Sequence, residues 1–268
     1  MNLSDIRRVY ERAGYSVLNA TARTCQDVIL DRIARSPMSR HVAIKGGVLM
    51  CAISRNRRRA TQDIDLDFVS YSISDDAVRR FIRALSDVDD AMDIEIDGPI
   101  EELSQQDYKG KRVHLRVSDG RSIFDTKLDL GVHARLDLVQ EERWFDIAQS
   151  EDGVSLLANS KEQMFVEKLK SLLLHGIRST RYRDLHDMYY IGHMETLDRD
   201  ALAECIKALI IDDEDMWDSD MAEIADRLAH TLSNKSFIAR MKSSTRGWTD
   251  AKPTDITSWL PAFVKSLA

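Results

Sequence analysis

The pattern of apolar and polar positions changes once along the chain, near residue 150. Before that point, stretches with helical spacing alternate with short stretches in which every second residue is apolar. After it, apolar residues recur at helical spacing only. The pattern therefore predicts an α/β (α+β) domain over residues 1–150 and a helical bundle over residues 151–268, with residues 146–159 as the best linker candidate.

Individual elements follow from the same periodicity. Helical spacing predicts helices over residues 3–13 and 17–34 and a third that starts at residue 48. Alternation predicts strands over residues 42–45, 63–68, 92–97, 113–117 and 123–130. In the second half, Ser160 and Gln163 fit a capping box at a helix start, and further helices are predicted over residues 200–211, 216–232 and 256–267.

One strand alternates carboxylates with apolar side chains: Asp63, Ile64, Asp65, Leu66, Asp67 and Phe68. On a strand, the three carboxylates share one face because successive side chains point to opposite sides. Neighbouring carboxylates repel each other unless a cation lies between them. Mg²⁺, or Mn²⁺ in its place, accepts a few carboxylate oxygens and leaves its other positions to water and substrate phosphate. The pattern predicts that Asp63 and Asp65 bind the metal of a nucleoside triphosphate (NTP).

A glycine pair, Gly46 and Gly47, follows the strand that ends at Lys45. Such a pair lets the backbone approach a phosphate closely at a helix start. A third carboxylate is predicted at Asp129, which as a strand residue shares a face with Asp125 and Lys127. With Asp63 and Asp65 it would bind the metal, nearest the incoming acceptor hydroxyl, and it would help to take the proton of that hydroxyl. The alternative for both aspartates of that strand is a solvated face.

The net charge of −7 argues against a generally basic protein that coats nucleic acid, but it permits a local basic patch. Clustered arginines are predicted to guide an RNA backbone, namely Arg55, Arg57, Arg58, Arg59, Arg181 and Arg183. The alternative is that they form a solvated helix end. Three scattered cysteines fit a reducing cytoplasm. Neither a signal-peptide region nor a membrane-spanning apolar run is present in the sequence.

In the helical half, Lys168 is followed by Asp184 and Asp187. A lysine there could offset the charge of a departing pyrophosphate. The alternative is an ordinary network of salt bridges between adjacent helices.

The sequence resembles the AbiEii/AbiGii-type nucleotidyltransferase toxins of abortive-infection and type IV toxin-antitoxin systems. Two runs carry the resemblance: Ile44, Lys45, Gly46 and Gly47 with Arg59, Thr61, Asp63, Ile64, Asp65 and Leu66, and Glu167, Lys168 and Leu169 with Arg183, Asp184, Leu185, His186 and Asp187. The resemblance implies a polymerase-β-like nucleotidyltransferase domain followed by a helical domain. It further implies transfer of nucleotides, typically pyrimidines such as that of CTP, to the 3′ acceptor end of tRNA, which blocks aminoacylation, and restraint by a cognate antitoxin.

Residue by residue, the resemblance assigns metal binding to Asp63 and Asp65 and the essential lysine to Lys168. It leaves open whether Asp184 or Asp187 is the essential carboxylate of the last motif. The first run supplies the residues expected to bind the nucleotide: Lys45, Gly46, Gly47, Arg59 and Thr61. The chain departs from the family at Val48, where relatives commonly carry Ser or Thr.

Two alternatives remain at this stage. The same metal site could transfer a nucleotide to a protein hydroxyl, an AMPylation-like reaction. A nucleotidyltransferase fold could also recognise RNA or a partner without chemistry. An intact set of Asp63, Asp65, Asp129 and Lys168 argues against the second alternative, because a module without catalysis has no need to hold carboxylates together.

Overall fold

The computed structural model describes residues 1–89, 91–103, 110–133 and 138–267. The chain divides into two compact units, Met1–Asn159 and Ser160–Ala268. In the described residues the first unit combines helices with one mixed sheet, and the second is helical. The predicted α/β class is therefore confirmed.

The first unit contains the helices α1 (Leu3–Arg12), α2 (Val17–Arg35), α3 (Gly46–Ser54) and α4 (Asp75–Ser86). Its strands are β1 (Val42–Lys45), β2 (Ile64–Phe68), β3 (Asp93–Ile96), β4 (Glu101–Leu103), β5 (Gly110–Ser118), β6 (Ile123–Val132), β7 (Glu141–Ile147) and β8 (Ser150–Ala158). The sheet order is β3-β5-β6-β2-β1-β8-β7, with β4 on β5. The central strand β2 is antiparallel to β1 and parallel to β6.

Alternate side chains of β2 point to the hydrophobic core and to the polar face of the sheet. Ile64, Leu66 and Phe68 are fully buried, and the Phe68 ring meets Phe81 of α4 edge-to-face with centroids 5.1 Å apart. Burial of such rings contributes more than any single polar contact of the sheet. The opposite face of β2 is left to Asp65 and Asp67.

The predicted linker is wrong, because residues 146–159 include the end of β7 and all of β8. These strands form an antiparallel hairpin, and the end of β8 pairs in parallel with β1, Ala43 opposite Leu157. Only the end of β8 is well buried, and its first residues are largely exposed and acidic. The sequence of this strand therefore resembles that of a polar loop. The boundary consequently lies after Asn159 rather than after residue 150.

The second unit contains α5 (Lys161–His175), α6 (Tyr182–Met194), α7 (Arg199–Ile206), α8 (Met221–Leu232), α9 (Lys235–Ser243) and α10 (Pro253–Lys265). Ser160 caps α5, as its hydroxyl accepts from the Gln163 amide at 3.0 Å. The reciprocal half of the capping box does not form, since Gln163 Oε1 accepts no hydrogen bond, while its Nε2 donates to Glu167 at 2.9 Å. Among the helices that the structure describes, none is both long and apolar enough to cross a membrane.

Candidate active site

Four charged residues form a row across neighbouring strands of the first unit. Register pairs Lys45 with Asp65, Asp65 with Asp129, and Asp129 with Arg112. Paired residues on adjacent strands point to the same face. The sheet therefore presents two carboxylates side by side, with a cation on each flank.

The start of α3 lies directly against Asp65. The Gly47 amide donates to Asp65 Oδ2 at 3.3 Å. Gly46 adopts φ +59°, and a Cβ there would collide with the Asp65 carboxylate. A Cβ on Gly47 would collide with the Thr61 side chain. Close approach of the backbone explains both glycines and places the amino end of a helix, with its positive partial charge, beside the carboxylates.

Asp65 is the residue on which these charges converge. Burial raises the pKa of Asp65, and the neighbouring carboxylates Asp129 and Asp63 raise it further. Lys45 and the Gly47 amide act in the opposite direction without outweighing burial. A divalent cation at this position would favour the ionised carboxylate, because it replaces repulsion by attraction.

Lys45, which the sequence analysis assigned to the nucleotide, contacts Asp67. Its Nζ lies 2.5 Å from Asp67 Oδ1, and both side chains are at least nine-tenths buried. Asp67 is flanked in the sheet by Ala43 and Gly131, whose small size leaves room for this ion pair. Lys45 thereby contributes positive charge from within the sheet rather than from an exposed position.

The third predicted carboxylate, Asp129, is engaged by a residue that the sequence analysis missed. Arg112 donates from Nε to Oδ1 and from Nη2 to Oδ2, both at 2.7 Å. Asp63 lies just before β2 and pairs with Lys127 at 3.0 Å. Alternation along β5 could have identified Arg112, since Arg112, His114 and Arg116 face Asp129, Lys127 and Asp125 in register.

The donor set can be tested against Mg²⁺. Among the described residues, no group of three His, Cys, Asp or Glu side chains lies close enough to hold a metal ion. Asp63 and Asp65 nevertheless remain as a pair of carboxylates, and Mg²⁺ characteristically binds one or two carboxylates and completes its shell with water and substrate phosphate. The residues therefore fit a metal shared with a triphosphate and do not form a closed protein cage.

The clustered arginines at positions 55–59 separate into two groups. Arg55, Arg57 and Arg58 are exposed, whereas Arg59 is 3% exposed. Arg57 donates to the Ala13 carbonyl at 3.4 Å. Only the three exposed side chains are therefore placed to attract a phosphate backbone, and Arg59 belongs to the interior beneath them.

In the second unit, Lys168 lies between two carboxylates. Its Nζ is 2.9 Å from Asp184 Oδ1 and 2.9 Å from Asp187 Oδ2. Arg181 pairs with the other oxygen of Asp184 at 2.6 Å. Burial alone would raise the pKa of Asp184, but Lys168 and Arg181 outweigh it and hold the pKa at about 2. Arg183, also predicted to bind RNA, is half-buried.

The two carboxylates of this cluster have different environments. Asp187 is fully buried, and the Trp248 indole N–H donates to its Oδ1 at 2.7 Å. The Asp184 side chain keeps 13% of its surface exposed. Asp187 therefore fixes the lysine from the interior, while Asp184 is the carboxylate nearer to solvent. Trp248 lies 61 residues beyond Asp187, and no local sequence pattern marks it as its partner.

Comparison with known proteins gives one family and one fold. The sequence profile of the family described as nucleotidyl transferase AbiEii toxin, type IV toxin-antitoxin system, matches residues 28–258. Among solved structures, the chain resembles JHP933 from Helicobacter pylori, with TM-score 0.52 at 15% identity over 95% of this chain and 93% of that one. It also resembles a putative nucleotidyltransferase from H. pylori, with TM-score 0.51 at 13% identity over 94% and 95%.

At these identities the structural likeness shows the fold alone. No match was found among curated proteins. The family match covers most of the chain and includes both runs of residues on which the resemblance rests, so this protein belongs to the AbiEii family of nucleotidyltransferase toxins of type IV toxin-antitoxin systems.

Proposed function

We propose that this nucleotidyltransferase uses Mg²⁺ and an NTP, with CTP as a candidate, to add nucleotides to the 3′ acceptor end of tRNA. The observation that carries the proposal is the placement of Asp65, which lies opposite Asp129 in strand register and accepts a hydrogen bond from the Gly47 amide of the glycine pair at 3.3 Å. When bound, Mg²⁺ would neutralise negative charge at the reacting phosphate.

Residues of the first unit would bind the metal and the phosphates. Asp63 and Asp65 would hold the metal, and the backbone at Gly46 and Gly47 would bind the phosphates with the positive end of α3. Thr61 packs against Gly47 and supplies a hydroxyl beside the glycine pair, whereas Val48 is fully buried and supplies none.

In the transfer step, the acceptor hydroxyl oxygen forms a bond to the α-phosphorus as the bond to the pyrophosphate oxygen breaks. The electron pair leaves with pyrophosphate, and the hydroxyl proton passes to Asp129. Arg112 orients Asp129 through its paired hydrogen bonds. Because the fork fixes the orientation of the carboxylate plane, it fixes the direction from which Asp129 accepts the proton.

The family match spans both units, so we propose that Lys168 and Asp184 are also required for transfer. Asp187 then acts as the buried support of Lys168. Exposed arginines guide the RNA, namely Arg55, Arg57, Arg58 and Arg181. Modification of the tRNA end blocks aminoacylation and arrests growth in the cytoplasm, and a cognate antitoxin restrains the enzyme.

NTPs radiolabelled at the α-phosphate and incubated with the purified protein, total RNA and a protein lysate test this proposal, because the α-phosphate stays on the acceptor when pyrophosphate leaves. Label on tRNA that disappears in Asp65→Asn and persists in Glu95→Gln, an exposed carboxylate of β3, supports it. Label that appears on polypeptide alone would establish the AMPylation-like alternative. Growth arrest that persists after Asp65→Asn would favour binding without chemistry.

A further inference from the structure

A cavity of about 270 Å³ opens beside Asp63 in the first unit. One wall is formed by Leu18, Thr21 and Ala22 of α2, and the other by Thr126 and Lys127 of β6. The volume lies just below the range of about 300–1,000 Å³ that is typical for sites of drug-sized ligands. It therefore suits a small ligand such as one nucleoside.

The cavity exists because β6 is longer than its neighbour. Pairing of β2 with β6 begins at Ile64 and Leu128, whereas β6 itself begins at Ile123. The first residues of β6 therefore extend past the start of β2 and remain paired with β5 on their other edge. The first turns of α2 cover this extension, and Asp63 borders the space between them.

The lining combines an apolar surface with polar groups. Leu18 is 63% exposed although it is a leucine, and Ala22 continues the apolar surface one turn further along α2. Thr21 and Thr126 contribute hydroxyls, and His114 contributes an imidazole. A nucleoside matches this lining, because its base has apolar faces with polar edges and its ribose carries hydroxyls.

The position of the cavity decides which nucleoside it receives. In the strand order β1-β2-β6-β5, the glycine pair follows β1 on one side of β2, and the cavity adjoins β6 and β5 on the other. In phosphoryl transfer, the entering and leaving oxygens lie on opposite sides of the phosphorus. A triphosphate held at Gly46 and Gly47 would then leave the β6 side of β2 to the acceptor hydroxyl, and Asp129 lies on β6 opposite Asp65.

We infer that the cavity between α2 and the β5–β6 hairpin binds the terminal nucleoside of the RNA acceptor, an inference that rests on the proposed function. The sheet thereby separates its two substrates, with the triphosphate on the β1 side of β2 and the acceptor end on the β6 side. Leu18 and Thr21 are then specificity residues for the acceptor.

The test uses Thr21→Trp, which fills the cavity, in the full chain. Val17→Trp is the matched control, because Val17 is 62% exposed on the same turn of α2 and does not line the cavity. Leu18→Ala is the second cavity variant, and it should fold normally because Leu18 is 63% exposed. Binding of the 5′-fluorescein-labelled trinucleotide CCA is measured by anisotropy in EDTA, and binding of CTP with Mg²⁺ is measured by calorimetry.

The expected result is about tenfold weaker CCA binding for Thr21→Trp and about threefold weaker binding for Leu18→Ala, with CTP affinity unchanged and Val17→Trp like the parent protein. Weakened CTP binding with unchanged CCA binding would place the base of the NTP in the cavity and overturn the inference. Unchanged binding of both probes by both cavity variants would also overturn it. The labelling assay on total RNA reports separately on the proposed function, since the CCA measurement needs no catalysis.

Discussion

Arg112 and Asp129 face each other across β5 and β6 and are joined by two parallel hydrogen bonds of 2.7 Å. The Asp129 side chain is 9% exposed and that of Arg112 is 30% exposed. A guanidinium fork of this kind fixes the plane of a carboxylate as well as its charge. Asp129 is therefore a pre-oriented group, and its orientation depends on one residue of the neighbouring strand.

Replacement of Arg112 by Gln should destabilise the fold by about 2 kcal/mol. The loss is smaller than for a fully buried pair because solvent reaches Arg112 and screens the interaction. Urea unfolding of Arg112→Gln, Asp129→Asn and the double variant measures the coupling. Arg116→Gln, on the same face with an exposed pair to Asp97, serves as the control. Strictly additive losses in the double variant would show that the pair contributes nothing.

Gly46→Ala should abolish most activity, since its Cβ would displace the Asp65 carboxylate. A displacement of about 1 Å in an active site costs roughly 100-fold in rate. Gly120→Ala is the matched control, because Gly120 also has a positive φ, +75°, but nothing lies within 4 Å of the added methyl group. Both variants should lose about 1–2 kcal/mol of stability from the left-handed backbone, as measured by urea unfolding. Equal activity of the two variants would contradict the role assigned to close packing at Gly46.

Trp248→Phe keeps an aromatic ring but removes the donor to the buried Asp187. Leaving a buried acceptor without this bond costs about 1–3 kcal/mol. Trp217→Phe is the control, because Trp217 is 86% exposed and such a change should stay within about 0.5 kcal/mol. Denaturant unfolding followed by circular dichroism compares the two. A similar loss in both variants would show that the Trp248–Asp187 bond does not stabilise the unit.

The free energy of unfolding is expected to depend on pH through the buried carboxylate of Asp27. It is fully buried on α2, accepts from the Tyr10 hydroxyl and accepts from the Ala148 amide at 2.7 Å. Burial raises the pKa of Asp27 from 3.8 to about 6 in spite of these donors and Arg23. The folded state therefore binds more protons than the unfolded state between these values, and the contribution of Asp27 to stability falls as pH rises through that window.

Relative to Asp27→Asn, the parent protein should lose roughly 2 kcal/mol between pH 4 and pH 7. Unfolding free energies of both proteins at intervals across this range provide the measurement. A second comparison with Asp184→Asn separates the effects, because the lowered pKa of Asp184 makes its contribution vanish at acid pH instead. Parallel curves for the parent protein and Asp27→Asn would refute the assignment.

Local periodicity was enough to predict the elements around the candidate site. The boundaries of β1 agree with the prediction, and β6 was predicted from its first residue, Ile123. The alternation of carboxylates with core residues in β2 also requires no knowledge of distant residues, since a strand exposes alternate side chains to different surroundings. By contrast, β7 and β8 were missed, because short and largely polar strands are not distinguished from loops until their partners are known. The helix α4 was also missed, although its sequence carries a helix signal: Ser74 is its N-cap, and Val78, Phe81, Ile82 and Leu85 recur at helical spacing.

The sequence by itself determined which residue types are available: the aspartates of β2, the glycine pair, Lys168 and the family to which the chain belongs. Only the tertiary structure decided how they are combined, pairing Asp129 with Arg112, Lys45 with Asp67 and Asp187 with Trp248. The physical reason is that strand register and helix packing set these distances, and both depend on contacts between residues far apart in the chain. The sequence therefore supplies the carboxylate, but the charges that surround it when it is buried are set by the folded molecule.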